Sequence, residues 1–220
     1  MLLQSGFLNA GDIWDAAEHP ESVVAAVSKA TRVCIYDRPG ALLTGNPLKP
    51  GRCDLTDMPR TARDVVQELH ALLHSAGVRG PYVLAGHSLG SLFNYAYART
   101  YPAEARGMVS VDGTAPAVKS LLSAKDWKTL LQDPVRTSAP GRESYDVDQS
   151  LQQIARLGPL PPVPLTVLVA GKADPLPGDT PPAFRAAYRA AREVWPSAQK
   201  KFAEESLSML PIEHALLPQN

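Results

Sequence analysis

The sequence has few cysteines, no excess of either charge and no long apolar run, and each of these absences excludes a class of protein. Two cysteines among 220 residues are too few for a disulfide framework. Lysine and arginine together number 22, as do aspartate and glutamate, so the formal net charge of zero gives no support for a nucleic-acid partner. No apolar run approaches the roughly 18–20 residues that a membrane-spanning helix needs. The length predicts a single domain over residues 1–220, and a composition of 45% hydrophobic and 20% charged residues is ordinary for a folded globular protein.

Motifs for metals and nucleotides are missing as well. The sequence contains no Cys-x-x-Cys pair, no Gly-x-Gly-x-x-Gly and no P-loop lysine, so it implies no cofactor and no metal. His70 and His74 are four residues apart, but no glutamate follows His70 as a zincin motif requires. We interpret them as two histidines on the surface of a helix.

The most informative segment is Gly-x-Ser-x-Gly at residues 86–90. An apolar run at 82–85 precedes it and apolar residues at helical spacing follow it, so the segment predicts a strand, a tight turn and a helix. Ser88 stands at the centre of the turn, where a substrate carbonyl could reach it. The N-terminus of the following helix favours negative charge that develops nearby, which suits a nucleophilic serine.

Short apolar runs alternate with helical patterns along the rest of the chain. The predicted strands are 2–5, 32–36, 82–85, 107–111, 165–170 and 207–212. Several of them are continuously apolar, which favours an α/β fold with a mostly parallel sheet flanked by helices. One helix is expected to follow Thr61, with Asp64 completing a capping box, and another to begin at Thr180. The apolar stripe predicted on the first of these helices is Val65, Val66, Leu69, Leu72 and Leu73.

Residues that act in such folds gather at the carboxyl ends of the strands. Asp174 follows the predicted strand 165–170, and His214 follows 207–212. Ser88, Asp174 and His214 therefore form a candidate catalytic triad, in which serine attacks, histidine moves the proton and aspartate orients the imidazole. Asp112 also ends a predicted strand and is the alternative acid.

On these residues the chain resembles the α/β-hydrolase fold family. The resemblance rests on the Gly-x-Ser-x-Gly turn after a strand, on the order Ser…Asp…His, and on residues 33–40, which are similar to a strand and turn that often read "YDRxG". The family pattern Gly-x-x-Asp-Pro favours Asp174 over Asp112 as the acid. In fold, the resemblance implies an α/β-hydrolase-like sheet that lacks the family's first strands and last helix.

Residues 5–8, Ser-Gly-Phe-Leu, are similar to the family's oxyanion loop, where His-Gly is commoner. The resemblance implies that the backbone N–H groups of Phe7 and Leu89 form the oxyanion hole. Leu8 and Asn9 are the alternatives to Phe7 as a donor.

The resemblance also implies that residues 115–164 form a cap or lid over the active site. In this segment, apolar residues at helical spacing lie on both sides of a Pro/Gly/Ser break. A plain pair of surface helices is the alternative. Without the family's earlier strands, the run 31–36 would be a bare apolar sheet edge. We expect a partner chain (a homo-oligomer) or sequence missing from this chain to cover it.

The sequence thus predicts a serine hydrolase that cleaves a carboxylic ester of a small-molecule acyl substrate through an acyl-enzyme. The same triad would also serve acyl transfer to an alcohol or peroxide, or cleavage of an amide, lactone or activated C–C bond. A non-catalytic binding protein on the same fold is the rival from another class. No signal peptide is visible, which favours the cytoplasm, with secretion open if the N-terminus is truncated.

Overall fold

The computed structural model describes residues 1–16, 21–136, 138–172 and 175–205. The strands are β1 (Leu2–Gln4), β2 (Cys34–Ile35), β3 (Leu42–Leu43), β4 (Lys49–Pro50), β5 (Tyr82–His87), β6 (Ala105–Val111) and β7 (Leu165–Leu168). The α-helices are α1 (Val23–Ser28), α2 (Ala62–Ser75), α3 (Leu89–Thr100), α4 (Val118–Leu121), α5 (Ala124–Trp127), α6 (Asp133–Arg136), α7 (Val147–Ala155) and α8 (Pro182–Glu204). Short 3-10 turns occupy Gly11–Trp14 and Pro102–Glu104, and a π-helical turn occupies Lys128–Gln132.

Five strands form one parallel sheet in the order β2-β1-β5-β6-β7, and β3 and β4 form a separate antiparallel pair. The central strands are buried because helices cover both faces of the sheet, and Leu3 and Leu84 have no exposed surface. The predicted α/β fold with a mostly parallel sheet is confirmed.

β2 is shorter than the predicted strand 32–36 because the paired part of β1 is itself short. Only Cys34 and Ile35 have partners, opposite Leu2 and Leu3. Among the described residues β2 pairs with β1 alone, so it forms one edge of the sheet. The predicted strand 207–212 lies outside the described residues.

Helix α2 begins as its sequence predicts. The Asp64 carboxylate accepts from the Thr61 N–H at 2.7 Å and the Thr61 hydroxyl at 2.8 Å, and the capping box is complete. Four of the five residues of the predicted apolar stripe are buried. Leu72, on the flank of that stripe, is 44% exposed, so the prediction was wrong at that position.

Helix α8 begins two residues after Thr180, with Pro181 at its N-cap, and continues unbroken through Pro196. Its buried face carries small residues, Ala187, Ala191 and Ala198, which let the helix backbone approach its neighbours closely. None of the helices in the described parts of the chain is long and apolar enough to cross a membrane.

The segment 115–164 folds as α4–α7 with the π-helical turn, and it joins the core of the sheet. Val118, Trp127 and Ile154 are buried in the same apolar cluster as the central strands. Helix α7 also meets the start of α2, where the Ser150 hydroxyl accepts from the Ala62 N–H at 2.9 Å. A role for this segment as a lid stays a prediction.

Candidate active site

Ser88 lies on a sharp turn between β5 and α3. Its backbone has φ 50° and ψ −123°, a conformation that L-residues rarely adopt and that costs of order 1–3 kcal/mol. The surrounding backbone holds it there, because the Ser88 N–H donates to the Val111 carbonyl at 3.1 Å and the Ser88 carbonyl accepts from Thr114 N–H at 2.9 Å. The turn is therefore fixed by the adjacent strand β6 and not only by its own helix.

Glycine is required on both sides of Ser88 because other backbone passes close by. A Cβ on Gly90 would lie 2.4 Å from the Gln4 carbonyl oxygen and 2.5 Å from that of Ser5. A Cβ on Gly86 would lie 2.7 Å from the carbonyl carbon of Gly90. The motif thus lets the loop after β1 lie directly against the serine turn.

That loop brings Gly6 next to the serine. A Cβ on Gly6 would lie 3.2 Å from Ser88 Cβ and 2.9 Å from His87 Nδ1. Close approach of this loop to Ser88 is the arrangement in which backbone N–H groups can face a developing oxyanion.

The N–H groups of the loop differ in whether they are already engaged. The Leu8 N–H donates to the Glu143 carboxylate, and the Asn9 N–H donates to the Gly6 carbonyl at 3.2 Å. The Phe7 N–H has no acceptor among the described residues. Leu89 is the first residue of α3, where an N–H has no intrahelical acceptor. Phe7 and Leu89 therefore offer donors that Leu8 and Asn9 do not.

The buried side chain of Arg38 holds the loop in place. Its guanidinium donates to the carbonyl oxygens of Ser5 at 2.9 Å and Gly6 at 2.6 Å. It also pairs with Glu143, with Nε 3.1 Å from Oε2 and an Nη 3.1 Å from Oε1, and Nε lies 3.1 Å from the Tyr145 hydroxyl. Burial alone would lower the pKa of Arg38, but Tyr145 and Glu143 raise it above its ordinary value, so the guanidinium stays charged.

Sequence reasoning missed this role of Arg38. Asp37 and Arg38 are neighbours in sequence but have different partners: Asp37 pairs with Arg52, and Arg38 pairs with Glu143, which is 105 residues away. The one signal in the sequence is an arginine placed just after an apolar strand. If such an arginine is buried, it needs a carboxylate partner, but the sequence does not say which one.

Asp112 follows β6 directly, at the same edge of the sheet as Ser88, and its φ is 42°. Its carboxylate accepts from the Trp195 indole N–H at 2.8 Å and from the Ala170 N–H at 3.2 Å, and it lies 3.6 Å from the Arg192 guanidinium. The carboxylate of Asp112, the alternative acid, thus already has three partners. Asp174 and His214 lie outside the described residues.

The family model described as alpha/beta hydrolase fold matches residues 1–189. Because this match covers most of the chain, the protein belongs to the alpha/beta hydrolase fold family.

Two curated relatives match part of the chain. An uncharacterized protein of Schizosaccharomyces pombe is 33% identical over 44% of this chain, and the protein named "Putative carbamate hydrolase RutD" of Cronobacter turicensis is 31% identical over 51%. The matches cover 17% and 37% of those relatives, so the chain spans less than two fifths of the length of either.

Solved structures agree on the fold. A probable hydrolytic enzyme of Pseudomonas aeruginosa PAO1 superposes with a TM-score of 0.59 at 17% identity, covering 99% of this chain and 77% of that one. The Burkholderia cenocepacia protein Cfl2 superposes with a TM-score of 0.57 at 15% identity, covering 93% and 87%. At these identities the likeness concerns the fold alone.

Proposed function

We propose that this protein is a serine hydrolase that cleaves a carboxylic ester, or a related acyl bond, through an acyl-enzyme on Ser88. The observation that carries the proposal is the strained turn that presents Ser88 between β5 and α3, with Gly6 of the adjacent loop against it. The surrounding backbone holds Ser88 in a strained conformation at φ 50°, and strained residues of this kind are often found at functional sites. Membership of the alpha/beta hydrolase fold family adds to this support.

The proposed reaction has two steps. Ser88 Oγ attacks the substrate carbonyl while His214 takes the hydroxyl proton, and Asp174 orients the imidazole. The tetrahedral intermediate places its oxyanion against the N–H groups of Phe7 and Leu89, each worth about 3–4 kcal/mol of transition-state stabilisation. His214 then protonates the departing alcohol, and water, activated by the same histidine, releases the acid and restores Ser88.

The geometry favours particular residues in these roles. Phe7 is preferred to Leu8 and Asn9 because its N–H is the one without an acceptor in the described part of the loop. Asp174 is preferred to Asp112 because the Asp112 carboxylate is already engaged by Trp195, Ala170 and Arg192.

The test is labelling with a fluorophosphonate probe, with the adduct located by mass spectrometry. We expect a single adduct on Ser88 that is lost in Ser88→Ala and His214→Ala. Ser120→Ala removes an exposed hydroxyl on α4 and is the matched control, which should label as the unmodified chain does. Absence of an adduct on a folded sample would favour a binding protein on this fold, and an adduct on another serine would contradict the assignment of Ser88 as the nucleophile.

Two further measurements refine the assignment. Asp174→Asn should slow labelling more than Asp112→Asn does, and the reverse order would assign the acid to Asp112. A panel of ester, amide and carbamate substrates would then identify the bond. Carbamates belong in it because of the name of the Cronobacter turicensis relative.

A further inference from the structure

Two histidines of α2 meet a carboxylate from another element on the far side of the molecule from Ser88. His70 Nε2 lies 3.0 Å from Glu104 Oε1, and His74 Nε2 lies 3.7 Å from the same oxygen. One candidate ligand atom from each residue lies within 4.8 Å of the others. The topology creates the cluster, because Glu104 belongs to the 3-10 turn that follows α3.

We propose that His70, His74 and Glu104 form a binding site for a first-row divalent metal ion of the zinc type. Imidazole nitrogens and a carboxylate oxygen are ligands that suit such ions, and three protein ligands leave a position for water. The sequence favoured two surface histidines here, since Glu104 is 34 residues from His70 and belongs to no motif with it.

The distances suit the coordination geometry. Zinc lies about 2.0–2.1 Å from nitrogen or oxygen ligands, so two ligand atoms of a tetrahedral site are about 3.3 Å apart. The two nitrogen–oxygen separations, 3.0 and 3.7 Å, lie on either side of that value. His74 is the ligand that would move to close the site, because its side chain is 64% exposed and the more exposed of the two at this contact.

The surroundings hold the other two ligands in orientation. The His70 ring stacks on Tyr101, with centroids 3.9 Å apart and planes 11° apart. The second oxygen of Glu104 accepts from the buried Tyr97 hydroxyl at 2.5 Å. A fixed ring plane and a hydrogen-bonded carboxylate are what supporting residues supply around metal ligands.

Local charge also favours a cation. Helix α2 ends at Ser75 and α3 ends at Thr100, so two helix C-termini, each with partial negative charge, lie beside the cluster.

The site is separate from the proposed active site. Ser88 precedes the first residue of α3 and Tyr101 follows the last, and twelve helical residues span about 18 Å. We assign the metal a stabilising role, because an ion that binds the folded chain alone raises its stability.

The experiment is a zinc titration of the metal-stripped full chain by calorimetry, with cobalt(II) absorption as a second readout of coordination. We expect one zinc ion per chain. Because loss even of a residue that supports a metal ligand weakens a site by about 10–100-fold, loss of a ligand in His74→Ala or Glu104→Gln should reduce the affinity by at least about tenfold. Zinc should raise the melting temperature of the unmodified chain and not that of His74→Ala.

Two controls make the result specific. Ser88→Ala should bind zinc as the unmodified chain does, so failure of the proposed hydrolase activity leaves this test intact. His19→Ala removes a histidine elsewhere in the sequence and should also leave the affinity unchanged. The proposal is overturned if the unmodified chain takes up no zinc, or if His74→Ala binds it equally well.

Discussion

At the scale of single residues, Gly90 shows how little space the serine turn leaves. A Cβ on this residue would collide with the carbonyl oxygens of Gln4, the last residue of β1, and Ser5, and backbone atoms cannot turn aside as the end of a side chain does. We predict that Gly90→Ala lowers the free energy of unfolding by about 1–3 kcal/mol.

Urea denaturation measures this effect. Gly158→Ala is the matched control, because a Cβ there would meet nothing within 4 Å and its change should stay within about 0.5 kcal/mol. Equal stability of the two variants would show that the loop moves away from Gly90 without cost.

Asp37 should give the stability a defined dependence on pH. Its carboxylate accepts from the Arg52 side chain at 2.8 and 2.9 Å and from the N–H groups of Arg52 and Gly11, both at 3.0 Å. The hydrogen bonds from Arg52, opposed by burial, lower the pKa of Asp37 to about 2. The ionised form is therefore bound more favourably in the folded chain than in the unfolded one, where the pKa is about 3.9.

We predict that Asp37→Asn costs about 1–3 kcal/mol of unfolding free energy near neutral pH. The sign follows from the lowered pKa: the stabilisation is complete above the unfolded pKa and is lost as the pH falls from about 4 towards 2. Chemical denaturation of both chains across this range checks it, with the exposed Asp57→Asn as control. A difference that stays constant down to pH 2 would contradict the assignment.

At the scale of elements, the pair of Arg38 and Glu143 joins three parts of the chain. Arg38 follows β2, Glu143 belongs to the segment between α6 and α7, and both contact the loop after β1. Their side chains are 1% and 0% exposed. Removing one charge leaves the other buried and unpaired, so we predict that Glu143→Gln costs about 3–5 kcal/mol.

A double-mutant cycle separates the pair from its surroundings. Arg38→Met combined with Glu143→Leu should cost less than the sum of the two single changes, since neither charge is then left alone. Glu21→Gln breaks the exposed Lys29–Glu21 pair and should cost no more than about 1 kcal/mol. If the double change costs as much as the two single changes together, the two buried charges do not stabilise each other.

At this scale the sequence could predict features that depend on residues close together in the chain. Helix α2 followed from the Thr61–Asp64 capping box, and the serine turn followed from a motif five residues long. Leu72 shows the limit even within a helix, because the neighbours that cover one flank of an apolar stripe are set by the fold. Pairings over long separations, such as Arg38 with Glu143, carry no spacing signal that a single sequence displays.

At the scale of the whole molecule, the sheet topology decides which distant residues meet. Parallel strands β5 and β6 bring Ser88 and Asp112 to one edge, and the return of α3 beside α2 brings Glu104 to the two histidines. The sequence predicted the first meeting because strand ends follow a general rule. The sequence did not predict the contact of Glu104 with the two histidines, because no general rule says that the turn after α3 lies beside the end of α2.

The open edge of the sheet yields the last prediction. The Cys34 N–H donates at 2.9 Å to the carbonyl of Met1, the residue directly before β1. Because N–H groups alternate in direction along a strand, those of Val33 and Ile35 point to the open side of β2. Neither N–H has an acceptor among the described residues, and unpaired donors beside an apolar run are a template for pairing with another strand. We predict that the isolated chain self-associates through this edge, with an average mass in light scattering that rises with concentration.

Val33→Pro tests the prediction directly, because proline removes an N–H on the open side while the Cys34 hydrogen bond to β1 can persist. We expect this variant to be monomeric at concentrations where the unmodified chain is not, with an unchanged circular dichroism spectrum. Val33→Ala is the matched control, because it keeps the backbone N–H, and it should associate as the unmodified chain does. If the unmodified chain is a well-folded monomer at every concentration, the edge needs no partner, and the short paired length of β2 is itself sufficient to protect it.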